Sequence, residues 1–108
     1  HKHNALLVVD ATQSAGAIPI DVQKCTVDAL ISGAYKWLCG SFGAAFMYIA
    51  PDIAENLEAR LVGSRSFYIM LDLDASGLAY PLSGTEFEFS TMAFLCSIGL
   101  TSSIDILN

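Results

Sequence analysis

The chain has 108 residues, the length of an ordinary domain, with 54% hydrophobic and 15% charged residues, a balance that suits a sheet buried on both faces better than a free-standing surface-rich domain. Its net charge is −6 and its five basic residues, Lys2, Lys24, Lys36, Arg60 and Arg65, are scattered, so the basic footprint that nucleic-acid binding requires is missing. Three cysteines, Cys25, Cys39 and Cys96, form no CxxC pair and no metal-like spacing with His1 or His3, which argues against a disulfide or zinc framework and for a reducing, cytoplasmic setting. Each is read as a small buried hydrophobe, Cys39 standing out for its nearness to Lys36. The uncharged stretches 37–51 and 89–104 contain Gly, Ser or Thr and fall short of the roughly 20 apolar residues that span a bilayer, so a soluble chain is expected. The start HKHNALL carries no initiator Met or targeting pattern, and SSIDILN breaks off in what reads as a helix without a stop signal. Residues 1–108 are therefore expected to be part of one larger domain, incomplete at both ends.

Along the chain, Ala5 to Val9 is a β-branched run ending in Asp10, the pattern of a parallel strand buried on both faces. In ATQSAGAIPIDV, Gly16 and Pro19 break any regular period, so a helix there must be short. Val27 to Gly33 reads as a second strand and Ala44 to Ala50 as a third. Gly40 and Gly43 flank Ser41-Phe42 and suit a tight return, which predicts that the second and third strands are antiparallel neighbours. Pro51-Asp52 opens a helix through about Arg60, with proline early and an acid in the first turn. Leu61 to Ser83 has no sustained period and reads as an irregular loop region. Phe87 and Phe89 suggest a short extended piece before a helix from about Met92 to Leu107.

Lys36 lies in VDALISGAYKWLCGSFGAAFMYI (27–49), whose only other charge is Asp28. An ammonium placed among Tyr35, Trp37 and Leu38 loses hydration, and its pKa is expected to fall toward the range where a free amine attacks carbonyls. Ligands of open parallel sheets gather at the carboxyl ends of strands. Asp10 closes the first strand and Lys36 follows the second, which proposes an acid and an amine on one rim.

VVDATQSAGAIPIDV (8–22), the 27–49 segment, VGSRS (62–66) and GTEFEFSTMAF (84–94) together resemble the class V aminotransferase family. These are pyridoxal-phosphate (PLP) enzymes that include cysteine desulfurases, selenocysteine lyases, kynureninases and isopenicillin N epimerase. The resemblance covers most of the chain and implies an α/β fold, the large PLP-binding domain of fold type I, with a mostly parallel sheet and flanking helices. It implies that Lys36 holds the cofactor as an internal aldimine and then moves a proton at the α-carbon of an amino-acid substrate. Asp10 would pair with the pyridine nitrogen, Gln13 would contact the ring's phenolic oxygen, and Tyr35 would bind the phosphate through its hydroxyl. Thr91 looks like the threonine that reaches a cofactor phosphate in the neighbouring subunit, making the site the property of a homodimer. Cysteine desulfurases usually show His immediately before the lysine and Ser two residues earlier. Here those positions are Tyr35 and Gly33, and Tyr35 resembles the kynureninase and epimerase-like branches. Ser32 is one residue further from Lys36, a shift that turns a side chain to the other face of an extended segment, so it is not read as a phosphate ligand. The implied outcome is lyase, transaminase or epimerase chemistry, desulfurase-like or epimerase-like first. The implied phosphate loop, ring-stacking residue, carboxylate-binding arginine and any persulfide-forming cysteine lie outside this segment.

The rival reading is a non-catalytic α/β binding domain, or a degenerate homologue, in which Asp10 and Lys36 form a structural ion pair. Individually, Asp10 could cap a following helix, Thr91 could be a helix N-cap, Arg65 a solvated loop residue, and Trp37 and Phe42 packing residues beside the turn. A dinucleotide-binding fold ranks last, because no GxGxxG follows either strand.

Overall fold

The computed structural model of the chain describes residues 3–63, 65, 66 and 84–108. The backbone forms two compact units, His1–Ala50 with Ala93–Asn108, and Pro51–Met92. Each is described by itself.

The first unit holds a three-stranded sheet in the order β1-β2-β3, with β1 at Val8–Asp10, β2 at Ala29–Gly33 and β3 at Ala45–Ile49. β1 runs parallel to β2, with Val9 opposite Leu30 and Asp10 opposite Ile31. β2 and β3 are antiparallel, from Ala29 opposite Ile49 to Gly33 opposite Ala45. The α/β class and the antiparallel return are as expected, and the described sheet is mixed, one pair of each kind. The return is not tight, however. Residues 34–44 form a compact loop closed by its own backbone: Ala34 N–H donates to Ala44 O (3.0 Å), Gly40 N–H to Ala34 O (2.9 Å) and Cys39 N–H to Lys36 O (3.0 Å). Gly43, with φ +93°, supplies the left-handed residue this loop needs to re-enter β3.

Side-chain alternation sends Val9, Leu30, Ser32 and Tyr48 to one face of the sheet. There Leu30 joins Ala11, Ala15, Val27 and Leu38 in a core packed also by Val9, Ile20, Val22, Tyr48 and Leu100. The segment between β1 and β2 lies on this face and contains α1, the short helix Val22–Cys25, capped by Asp21 accepting from Gln23 and Lys24 N–H (both 3.1 Å). The opposite face carries Val8, Ile31 and Met47, all exposed. Within this segment the strands are covered on one face, where the β1–β2 connection and α3 contribute Ile20, Val22 and Leu100 to the core. Buried Asp28 fixes the start of the parallel pair: its carboxylate accepts Leu7 N–H (2.6 Å), and its own N–H donates to Leu7 O (3.1 Å).

Leu30 is 4% exposed on the central strand. Leu30→Ala in the full-length protein should cost about 2–5 kcal/mol, the range for emptying a packed leucine site. Denaturant unfolding checks this, and a loss well under that range would mean that this face is not the core.

Residues Pro51–Ala54 form α2, within the second unit, and Phe94–Leu107 form α3, within the first. α2 starts at Pro51 with Asp52 in its first turn, as expected, but ends well before Arg60. Asn56 Nδ2 donates to Asp52 O (2.8 Å) and Leu57 N–H bonds back to Ala54 O (3.1 Å), so turn bonds replace helical ones. Thr85–Phe87 is a 3-10 turn entered through left-handed Gly84, where an extended piece was expected. Of the predicted irregular region, residues 61–63, 65 and 66 are irregular, while 64 and 67–83 lie outside the described residues. α3 begins two residues after the predicted Met92. No helix among the described residues is long and apolar enough to cross a membrane.

Candidate active site

The chemistry-bearing residues of the first unit sit where β1 and β2 end. Asp10 closes β1 with its side chain on the face opposite Val9, and its register partner Ile31 and then Gly33 share that face. Buried Ala11 follows, and its carbonyl accepts Ser14 N–H (2.9 Å) and Ala15 N–H (2.8 Å), winding residues 11–15 into a single turn. Gln13 is exposed on this turn, three residues past Asp10.

Thr12 ties the two strand ends together, a role the sequence reading did not assign. Its N–H donates to Asp10 Oδ1 (2.9 Å), and its hydroxyl oxygen accepts Gly33 N–H (3.1 Å). The hydroxyl proton is then free to point at the Asp10 carboxylate, since a threonine can donate once while accepting. The Thr12 hydroxyl, and after it the Thr12 N–H, hold the Asp10 carboxyl below the usual carboxylate value. A depressed carboxylate contributes stability above its unfolded pKa, about 3.9, and loses it as pH falls through the lower folded value, so Asp10 is anionic throughout the neutral range. Thr12→Val should raise the Asp10 midpoint toward the ordinary value. Carboxyl-carbon NMR titration reads this directly, and an unmoved midpoint would remove Thr12 as the cause. The D-x-T order is a turn signal that the sequence already carried.

Lys36 lies in the loop after β2 and is exposed, which corrects the expectation that its apolar neighbours desolvate it. On the loop those neighbours point outward: Tyr35 is 44% and Trp37 58% exposed, and only Leu38 enters the core. Lys36 Nζ stands over the Tyr35 ring, 5.5 Å from its centroid. That ring stacks on Phe42 with centroids 5.2 Å apart and 21° between planes, so Phe42 is a surface ring partner and not part of the core. Among the described residues the salt bridges are Lys24–Asp21 (3.3 Å) and Arg65–Glu88 (3.2 Å). Asp10 and Lys36 do not bridge one another.

Gly33 explains how Tyr35 fits. A Cβ at this position would lie 2.7 Å from Tyr35 Cε1 and 3.7 Å from Thr12 Cγ2, so the ring occupies the space a side chain at 33 would need. Ser32 points the other way, fully buried, with its hydroxyl donating to Gly33 O (3.1 Å), as its offset predicts. Cys25 and Cys39 are exposed and Cys96 half-buried, which corrects the reading of all three as buried. Cys96 and Ser103 of α3 strap the loop, Cys96 Sγ donating to Phe42 O (3.2 Å) and Ser103 Oγ to Cys39 O (3.0 Å). Clefts in this unit of about 450 and 190 Å³, lined around Gly16 and Ile18, include neither Asp10 nor Lys36.

In the second unit Thr91 is exposed and irregular. The N-cap of α3 is Ala93, so capping does not account for Thr91. Arg65 is not a solvated loop residue: its side chain is largely covered and pairs with Glu88. A Cβ on Gly63 would run into the Phe89 carbonyl, and Ser66 Oγ accepts Gly63 N–H (3.2 Å). Gly63 and Arg65 thus pack on the FEF segment that leads to Thr91.

The sequence model of the family aminotransferase class-V matches residues 1–108. An uncharacterised aminotransferase, YcbU, of Bacillus subtilis (strain 168) is 35% identical over 107 residues, 99% of this chain and 28% of that protein. The apo cysteine desulfurase from Thermococcus onnurineus NA1 matches with a TM-score of 0.81 and 30% identity over 98% of this chain and 26% of its own. A mutant of C-DES with glycine covalently linked to the PLP cofactor matches with a TM-score of 0.74 and 29% identity over 87% of this chain and 24% of its own. The chain spans about a quarter of the length of these proteins. With the family model matching the whole of its length, the chain belongs to the class V aminotransferase family.

Proposed function

We propose that this chain is part of the cofactor-binding large domain of a PLP-dependent enzyme that acts on an amino acid, with Lys36 as the residue that holds the cofactor. One observation supports this most: Asp10 and Gly33-Ala34-Tyr35-Lys36 leave adjacent parallel strands at the same edge, tied by the Thr12–Gly33 hydrogen bond. The donor set fits the group. An anion kept ionised by Thr12 suits a protonated pyridine nitrogen, an exposed amine can reach an aldehyde, and an exposed phenol and amide suit a phosphate and a ring oxygen.

In this reading Asp10 would pair with the ring nitrogen, Gln13 with the ring oxygen and Tyr35 with the phosphate. Thr91 contacts the phosphate of the neighbouring subunit in a homodimer. When bound, the cofactor supplies an electron sink for negative charge developing at the substrate's α-carbon. The Lys36 amine, when neutral and not holding the cofactor, would serve as the local base for the α-proton. The similarity to a cysteine desulfurase and to an aminotransferase supports a desulfurase-like lyase first, with transaminase or epimerase chemistry as the other outcomes.

Borohydride reduction of the full-length protein after incubation with PLP should fix one label, placed on Lys36 by peptide mapping. A label elsewhere, or none, would end the proposal. Sulfide or alanine release, measured beside keto-acid-dependent transamination, separates the lyase from the transaminase.

A further inference from the structure

We propose that Phe42 and Gly33 are positioning residues that hold the Tyr35 ring as a platform for the Lys36 amine. This rests on the reading of Lys36 and Tyr35 as cofactor-binding residues and adds two residues to it.

The ring is fixed at two places. At Gly33 it lies where a Cβ would be, Cε1 and Cδ1 coming within 2.7 and 3.1 Å of that position. Against Phe42 it stacks at 5.2 Å. Phe42 is 81% exposed, so burial does not hold it in place. Its backbone does: α3 reaches the Phe42 carbonyl through Cys96 Sγ (3.2 Å), and Gly43 next to it has φ +93°, a conformation that side chains rarely adopt. The loop therefore presents an aromatic ring to Tyr35 at a defined place on the surface.

Lys36 Nζ, 5.5 Å from the Tyr35 centroid, is within the roughly 6 Å at which a ring face attracts an ammonium. A lysine that would hold a cofactor through its amine benefits from a defined resting position when that amine is free. The ring face supplies it, and the same ring carries the hydroxyl assigned to the phosphate. A ring free to rotate would lose both, so Phe42 and Gly33 act through Tyr35 and not on the cofactor itself.

The test uses the full-length protein and three substitutions, Phe42→Leu, Phe42→Trp and Gly33→Ala, with the PLP dissociation constant and the Tm of the cofactor-free protein as readouts. Phe42→Leu should weaken PLP binding about threefold to tenfold, as expected for one lost aromatic contact, and Gly33→Ala should weaken it by about as much, because its Cβ displaces the ring. Phe42→Trp should restore binding to within about twofold, because it keeps the stack. The cofactor-free Tm of Phe42→Leu should stay at the wild-type value, since the side chain is outside the core. Wild-type affinity in both Phe42→Leu and Gly33→Ala would overturn the proposal, and so would a Phe42→Trp protein as weak as Phe42→Leu. A wild-type protein that binds no PLP would overturn the functional reading and this proposal with it. Wild-type binding with unaffected variants would overturn this proposal alone.

Discussion

Lys36→Ala in the full-length protein should abolish the borohydride-fixed label and lower turnover by at least about 10²–10⁴-fold, the contribution of a single positioned acid-base group. Two functions are lost together, holding the cofactor and moving the α-proton, so the loss should lie at or beyond the upper end of that range. Lys36→Arg is the sharper control. An arginine keeps a cation over the Tyr35 ring, where Nζ now lies 5.5 Å from the centroid, and a guanidinium stacks well on aromatic faces. It cannot become a neutral nucleophile or base, because it stays protonated at every working pH. If the lysine served only as a charge on a structural platform, Lys36→Arg would be nearly silent. If its amine does the chemistry, Lys36→Arg should be as inactive as Lys36→Ala while keeping the wild-type Tm. Turnover within tenfold of wild type in either variant would dismiss Lys36 as the catalytic amine.

The frame of this site was legible because it depends on local pattern. The apolar run before Asp10, the run before Gly33 and the Gly-rich return each point to a strand from local pattern; β2 and β3 fall within the expected spans, while β1 is shorter than the expected Ala5–Val9 and covers Val8–Asp10. The offset of Ser32 from Lys36 gave its face correctly, because the strand period is two. What could not be read depended on surroundings. Apolar neighbours in sequence suggested a desolvated lysine, yet Tyr35, Trp37 and Lys36 sit on a loop where outward-pointing rings cost little. The three cysteines were misread for the same reason: composition gives an average burial, whereas Cys39 is on a loop with φ 54° and Cys25 closes a one-turn helix. α2 stopped early because one side chain, Asn56, competes for the carbonyl of Asp52, a contact that propensity averages do not contain. Thr12 was missed because its role joins two strands distant in sequence: the hydroxyl that accepts Gly33 N–H becomes meaningful only once β1 and β2 pair.

Asp10→Asn should separate the catalytic reading of this acid from the structural one. In the present geometry Asp10 does what an acid at a strand end commonly does, accepting Thr12 N–H at 2.9 Å and starting the following turn. An asparagine oxygen can accept the same bond, so the turn and the Thr12–Gly33 contact should be preserved, and the Tm at neutral pH should fall only slightly, by the small stability that the ionised carboxylate contributes. What disappears is the negative charge that the Thr12 hydroxyl and N–H now hold in place. If that charge faces a protonated ring nitrogen, its removal should lower turnover by about 10²–10³-fold, comparable with deleting one preorganised electrostatic partner, with the label on Lys36 still forming. Asp10→Ala removes charge and acceptor together and should add a lower Tm to the same catalytic loss. If Asp10 were only a turn-former, the order would invert: Asp10→Asn would keep full turnover and Asp10→Ala would be impaired through stability alone. Measuring turnover and Tm for both variants at pH 7 decides between them, and an Asp10→Asn enzyme with wild-type turnover would remove Asp10 from the site.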